Sequence, residues 1–146
     1  MWVVAKVKTK SLNLFKKNLA EKIGDDVKFY NPKFEYHKYF GNKLKKFEKS
    51  VLENYIFCYH EKFKKSSSIN EIKFLKGLIY FLDGCNQNQN QILKFIKYCK
   101  SFEDDKGYLT QSFFKTIITT KAKFISGPFT NLIFEISEKH KNKLKI

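Results

Sequence analysis

Lysine is the residue with which this sequence can act on other molecules. Its 29 lysines, with no arginine, stand against 14 acids and give a formal net charge of +15, so polyanions are the first partners implied. Lysine binds phosphate as a flexible point charge, without the planar fork with which arginine reads a base. An all-lysine cationic set with 11 Asn and two Pro also matches an AT-rich coding sequence. Residues suited to catalysis are sparse. His37, His60 and His140 have no metal-ligand spacing, and there is no GxxxxGKS/T phosphate cradle, HExxH, GxSxG or GxGxxG. Asp25-Asp26 and Asp104-Asp105 are adjacent pairs, which project differently from any regular element and mark turns more often than acid/base partners. Cys58, Cys85 and Cys99 show neither CxxC nor zinc-knuckle spacing, so buried reduced thiols are expected, with no metal and no cofactor. The expectation is a non-enzymatic protein.

The elements that must position the lysines follow from length and pattern. A chain of 146 residues holds one ordinary domain, or a domain of about 100 residues with a small module appended. With 42% apolar and 17% aromatic residues it has material for a real core. The run Trp2-Val3-Val4-Ala5 stops at Lys6, too short for a signal-peptide core, so a cytoplasmic, most simply monomeric chain with no membrane partner is expected. Charge divides unevenly: residues 1–65 carry +9, residues 66–110 carry +1 and residues 111–146 carry +5. The polar stretch Glu103-Asp104-Asp105-Lys106-Gly107 reads as part of a linker over 102–115, between a domain at 1–101 and a module at 116–146.

Within the first domain, Trp2 to Val7 predicts a strand. Leu12, Phe15, Leu19 and Ile23 then predict an amphipathic helix, with Ser11 as N-cap and Gly24 as stop. Val27–Tyr30 reads as a short strand, and Phe34–Phe40 turns at Gly41-Asn42 into a lysine-rich return as far as Val51. Tyr55–Tyr59 predicts a central strand, Ser68-Ile69-Asn70-Glu71 a capping box opening a short helix, and Leu78–Leu82 a further strand. Ile92, Phe95, Ile96 and Cys99 predict a second long helix. The sum is an α+β fold, one antiparallel-rich sheet flanked by helices. Beyond the linker, Thr120–Ser126, Asn131–Ser137 and Lys143–Ile146 read as strands of a small, incomplete β-barrel.

The order of these segments carries a resemblance. Met1-Trp2-Val3-Val4 with its Lys-rich strand end and helix, then the Lys-rich hairpin leading into Leu52-Glu53-Asn54-Tyr55-Ile56-Phe57, resembles the N-terminal domain of the NusG family of transcription elongation factors. Gly77-Leu78-Ile79-Tyr80-Phe81-Leu82 looks like that family's "GV..FV" strand. Lys123 to Leu132, centred on Gly127-Pro128, is similar to the start of a KOW module. Glu53-Asn54 in place of the usual proline-glycine, and the hydroxyl-rich Ser66-Ser67-Ser68-Ile69-Asn70, lean toward the RfaH-like branch.

The resemblance implies a bacterial elongation or antitermination factor that docks an apolar patch on the clamp helices of RNA polymerase. By motif match that patch comprises Tyr55, Phe57, Phe81, Ile92 and Leu93. Ser66, Ser67 and Ser68 would meet the gate loop. Lys8, Lys10, Lys16 and Lys17 would face the non-template DNA strand, with Asn13 or Asn18 as the polar side chains able to read sequence. The KOW-like module would recruit the ribosome or Rho. Independently of the resemblance, the phenylalanines of residues 113–146 are too many to leave in water, so that segment is expected to pack on the first domain through Phe113, Phe114, Phe124, Phe129 and Phe134. The alternative from another class is a KOW-containing RNA- or ribosome-binding structural protein, which binds folded RNA without polymerase.

Overall fold

In the computed structural model, which describes residues 1–119, the chain is built around two adjacent strands, β1 (Trp2–Val7) and β5 (Tyr55–Tyr59). Between them in sequence come α1 (Leu12–Ile23), β2 (Lys28–Tyr30), β3 (Lys33–Phe40) and β4 (Lys43–Ser50). After β5 follow a short 3-10 turn (Glu61–Lys64), α2 (Ser66–Ile72), β6 (Leu78–Phe81), α3 (Gln89–Lys100) and α4 (Gln111–Thr119). The architecture is α+β. A four-stranded antiparallel sheet has the order β2-β5-β1-β6, and β3 with β4 forms a separate two-stranded ribbon. The expectation of a single sheet is thus corrected. Asn31-Pro32, outside any strand, breaks the chain between β2 and β3, and β3 pairs with β4 rather than joining the sheet as a further strand.

Both faces of the β1–β5 pair are covered. Opposed residues of an antiparallel pair share a face. Val4 and Phe57 therefore lie under α3, where Phe57 meets Phe95 at 5.6 Å between ring centroids. Ala5, Ile56 and Phe81 lie on the other face, where Phe81 meets Phe15 of α1 and Phe63 of the 3-10 turn, each at 6.4 Å. Val3, Val4, Ala5, Ile56, Phe57 and Cys58 are all buried.

The helices form where their patterns require. Phe15, Leu19 and Ile23 are the buried stripe of α1, and Gly24 closes it by donating its N–H to the Ala20 carbonyl at 2.8 Å. Ser11 holds the N-cap position but its side chain caps nothing. Ile92, Phe95, Ile96 and Cys99 are the buried stripe of α3. The capping box is corrected: α2 starts at Ser66 with Lys65 as its N-cap residue, so Ser68 lies inside the helix. Gly77 is a required glycine. Its φ is +92°, and a Cβ there would lie 3.1 Å from both Phe15 Cβ and the Ser11 carbonyl oxygen, where the start of α1 crosses the chain.

Two polar side chains brace the sheet. Gln89 acts as a missing strand beside Trp2, accepting from the Trp2 N–H at 2.9 Å and donating to its carbonyl at 2.7 Å. Buried His60 accepts from the Lys62 N–H through Nδ1 at 3.0 Å and reaches Asp26 through Nε2 at 2.9 Å, so these partners assign the neutral ring its proton on Nε2.

The expected linker over 102–115 is also corrected. Tyr30 donates to Glu103 at 2.7 Å, Asp104 accepts from the N–H groups of Lys106 and Tyr108, and Leu109 donates its N–H to Lys33 at 2.8 Å. Leu109 and Phe113 are buried, and helix α4 spans the expected boundary. Phe113 and Phe114 do pack on the first domain, Phe113 against Tyr98 and Phe102 and Phe114 against Phe34 at 5.2 Å. The strands expected from Thr120 onward, the KOW-like match, Phe124, Phe129, Phe134 and His140 lie outside the described residues.

Several surface carboxylates titrate low. Hydrogen bonding from His60 lowers Asp26, Lys33 and then Tyr108 lower Glu48, and Lys64 and then Tyr59 hold Glu61 at about 2. A carboxyl lowered by folding contributes stability above its ordinary pKa, and that contribution is lost as pH falls through the lowered value. Thermal unfolding followed by circular dichroism is therefore expected to lose midpoint between about pH 4 and about pH 2. Glu61→Gln should make that fall shallower, and an unchanged slope would show that the Glu61 pairing contributes nothing.

Candidate functional site

The five residues expected to form one apolar patch do not share a surface. Phe57 and Ile92 are fully buried, in the layer between the sheet and α3. Phe81 is half-buried on the opposite face of the sheet. Tyr55, also half-buried, and Leu93, 48% exposed, reach solvent elsewhere. The reason is the double burial of β5. Alternation separates Tyr55 and Phe57 from Ile56 and Cys58, but with helices on both faces neither set is spare.

Tyr55 belongs instead to a small cluster with Tyr80 and Lys6, at the end of the α3 face that the helix leaves open. The two hydroxyls share a hydrogen bond of 3.3 Å, and Lys6 Nζ lies 5.3 Å and 5.5 Å from the two ring centroids. The bond from Tyr55 lowers Tyr80 below the ordinary tyrosine value, while burial and that same bond raise Tyr55. Ile79 and Tyr80 on the edge strand are exposed beside it.

The four lysines proposed for DNA differ in setting. Lys8 and Lys10 are exposed in the β1–α1 turn, where Lys10 adopts φ +65°. Lys17 is exposed and pairs with Glu21 at 3.8 Å, one helical turn on. Lys16 is half-buried, with Nζ 5.5 Å above the Phe29 ring, so it faces the sheet edge. Asn18 donates to the Lys76 carbonyl at 3.1 Å, whereas Asn13 is exposed. Ser66 and Ser67 are exposed and Ser68 half-buried at the start of α2.

The β3–β4 ribbon carries a feature that the segment reading passed over. Its two-residue loop sets Tyr36 opposite Phe47, Phe34 opposite Lys49, Lys38 opposite Lys45 and Phe40 opposite Lys43. All eight share one face. The signal was present in the sequence as the alternation Phe34, Tyr36, Lys38, Phe40, once the loop fixes the register.

Among the described residues no cluster of His, Cys, Asp and Glu is placed to hold a metal ion, and no helix is long and apolar enough to cross a membrane. The three cysteines are free and buried. Burial raises all three thiols, Cys99 to about 12, which disfavours the reactive thiolate. No protein-family model matches the chain, and no curated protein matches it.

Two measurements check these placements. Titration with a thiol reagent should leave all three cysteines unmodified in native buffer and modify all three in denaturant. Phe57→Ala should cost about 3–5 kcal/mol in denaturant unfolding, as a buried aromatic does, whereas exposed Leu93→Ala should stay within about 0.5 kcal/mol of the parent.

Proposed function

We propose that this chain is a NusG-like transcription elongation or antitermination factor, non-enzymatic, which bridges the clamp of RNA polymerase and suppresses pausing by limiting clamp opening. One observation carries the reading. Those segments of the resemblance that lie within residues 1–119 fall, in order, on β1 with α1, on the β3–β4 hairpin leading into β5, and on β6. Three of those strands are the contiguous run β5-β1-β6 of one sheet, so pieces matched separately in sequence form one structural unit.

The polymerase-facing surface proposed here is smaller than the motif match implies. It comprises half-buried Tyr55, with exposed Tyr80 and Ile79 beside it, and exposed Leu93 on α3, and omits the core residues Phe57 and Ile92. Lys8, Lys10 and Lys17 supply phosphate contacts to the non-template strand, and the exposed hydroxyls of Ser66 and Ser67 suit the gate loop. Recruitment of the ribosome or Rho by the C-terminal residues belongs to the same proposal.

Binding to purified core RNA polymerase, measured by interferometry, tests the reading. An apolar contact is expected to persist at moderate salt, whereas a phosphate-driven one weakens steeply. Tyr55→Ala with Leu93→Ala should weaken binding by about tenfold or more while the thermal midpoint stays near that of the parent. Replacing Lys8, Lys10, Lys16 and Lys17 by Gln should remove crosslinks to DNA in an elongation complex and leave core binding intact. Absence of any complex with core polymerase would overturn the proposal.

A further inference from the structure

The ribbon of β3 and β4 separates its charges by face. Its acids, Glu35 and Glu48, both lie on one side. There Glu48 bonds Lys33 at 2.8 Å and Tyr108, and Glu35 pairs with Lys46 at 3.3 Å. The other side has no carboxylate. Lys38, Lys43, Lys45 and Lys49 stand there without an ion-pair partner among the described residues. Lys38 faces Lys45 directly across the ribbon, an arrangement of like charges that weakens strand pairing and that a bound polyanion would relieve.

Between the lysines runs a ladder of rings. Phe34 lies 6.0 Å from Tyr36, Tyr36 stacks on Phe47 at 5.6 Å with 25° between planes, and Phe47 lies 5.8 Å from Phe40. Lys38 and Lys45 each sit 5.6 Å from a ring centroid, over Tyr36 and Phe40 respectively. The base of the ribbon is held by Phe114 and Leu109, whereas the outer half projects, with Phe40 55% exposed. Same-face residues repeat roughly every 7 Å along a strand, so rings and ammonium groups line one side for its whole length.

We propose that this face is a binding platform for single-stranded nucleic acid. Unpaired bases offer π-faces to stack on Phe40 and the Tyr36–Phe47 pair, and the lysines meet the phosphates alongside. A duplex keeps its base faces inside its own stack and leaves the rings without partners. A bilayer would engage only the tip, while the ladder continues to Phe34 at the base. Residues 120–146, with six lysines against two glutamates, carry a net charge of +4 and so bring no net negative charge to the ribbon. The inference is separate from polymerase binding and is tested without polymerase.

Anisotropy of labelled oligothymidylate and oligouridylate, each about 12 nucleotides, is measured with the full chain over a range of salt, beside a duplex of equal length and phosphatidylserine vesicles. Single strands are expected to bind more tightly than the duplex or the vesicles, with DNA and RNA told apart by the two oligonucleotides. Phe40→Ala should weaken binding about tenfold with the salt slope unchanged. Lys38→Gln with Lys45→Gln should reduce the slope of log affinity against log salt by about 1.4. Tyr39→Ala and Lys46→Gln, on the opposite face, should change neither. Equal losses from the two faces, an unchanged affinity in Phe40→Ala, or a duplex or vesicle bound as tightly as the single strand would overturn the proposal. Loss of polymerase binding alone would leave it standing.

Discussion

The pairing of β1 with β5 places a run of apolar side chains on both faces of the sheet, and such a pair holds together only where both faces are kept from water. α1 and the 3-10 turn cover one face and α3 covers the other, so the chain uses helices from both sides of β5 in sequence. This one requirement sets the rest. It draws Phe57 and Ile92 inside and places Phe81 opposite them. Gly77 must lack a side chain because α1 lies so close. The backbone of Trp2, where the β6 ladder ends, is left to the Gln89 amide.

The charge is arranged under the same constraint. With an excess of 15 cations, the chain cannot pair most of its lysines, and the lysine ion pairs among the described residues are on the surface, where each contributes little. Among the described residues, exposed lysines gather in the β1–α1 turn, on the helices and along the hairpin. On the hairpin the acids gather on one face, and the other becomes a strip of lysine and aromatic rings. Rings half-covered by one another and by lysine stems persist in water at less cost than isolated ones, because each buries part of its neighbour.

The proposed polymerase contact and the ribbon rest on different physics. The first depends on apolar area around Tyr55 and Leu93, the second on stacking and phosphate charge along β3 and β4. They occupy different elements, so a single chain can use both, and each can fail without the other.

Much of the fold was legible in residue patterns. The stripes Phe15-Leu19-Ile23 and Ile92-Phe95-Ile96-Cys99 each define a helix and its buried side, and Gly41-Asn42 defines a hairpin with its register, because these depend only on neighbours in sequence. Buried thiols followed from cysteine spacing. What the sequence could not determine is which alternate residues of β5 face water, since alternation gives two faces but not what covers each. That was decided when α3 packed on the Phe57 side and α1 on the Ile56 side. The linker failed for a similar reason. Asp104 and Gly107 look like loop chemistry and do form turns, but the turns are anchored by Tyr30, Lys33 and Glu48, residues more than 50 positions away whose proximity exists only after the sheet has formed. Local order was written in the chain, and exposure was a property of the assembled layers.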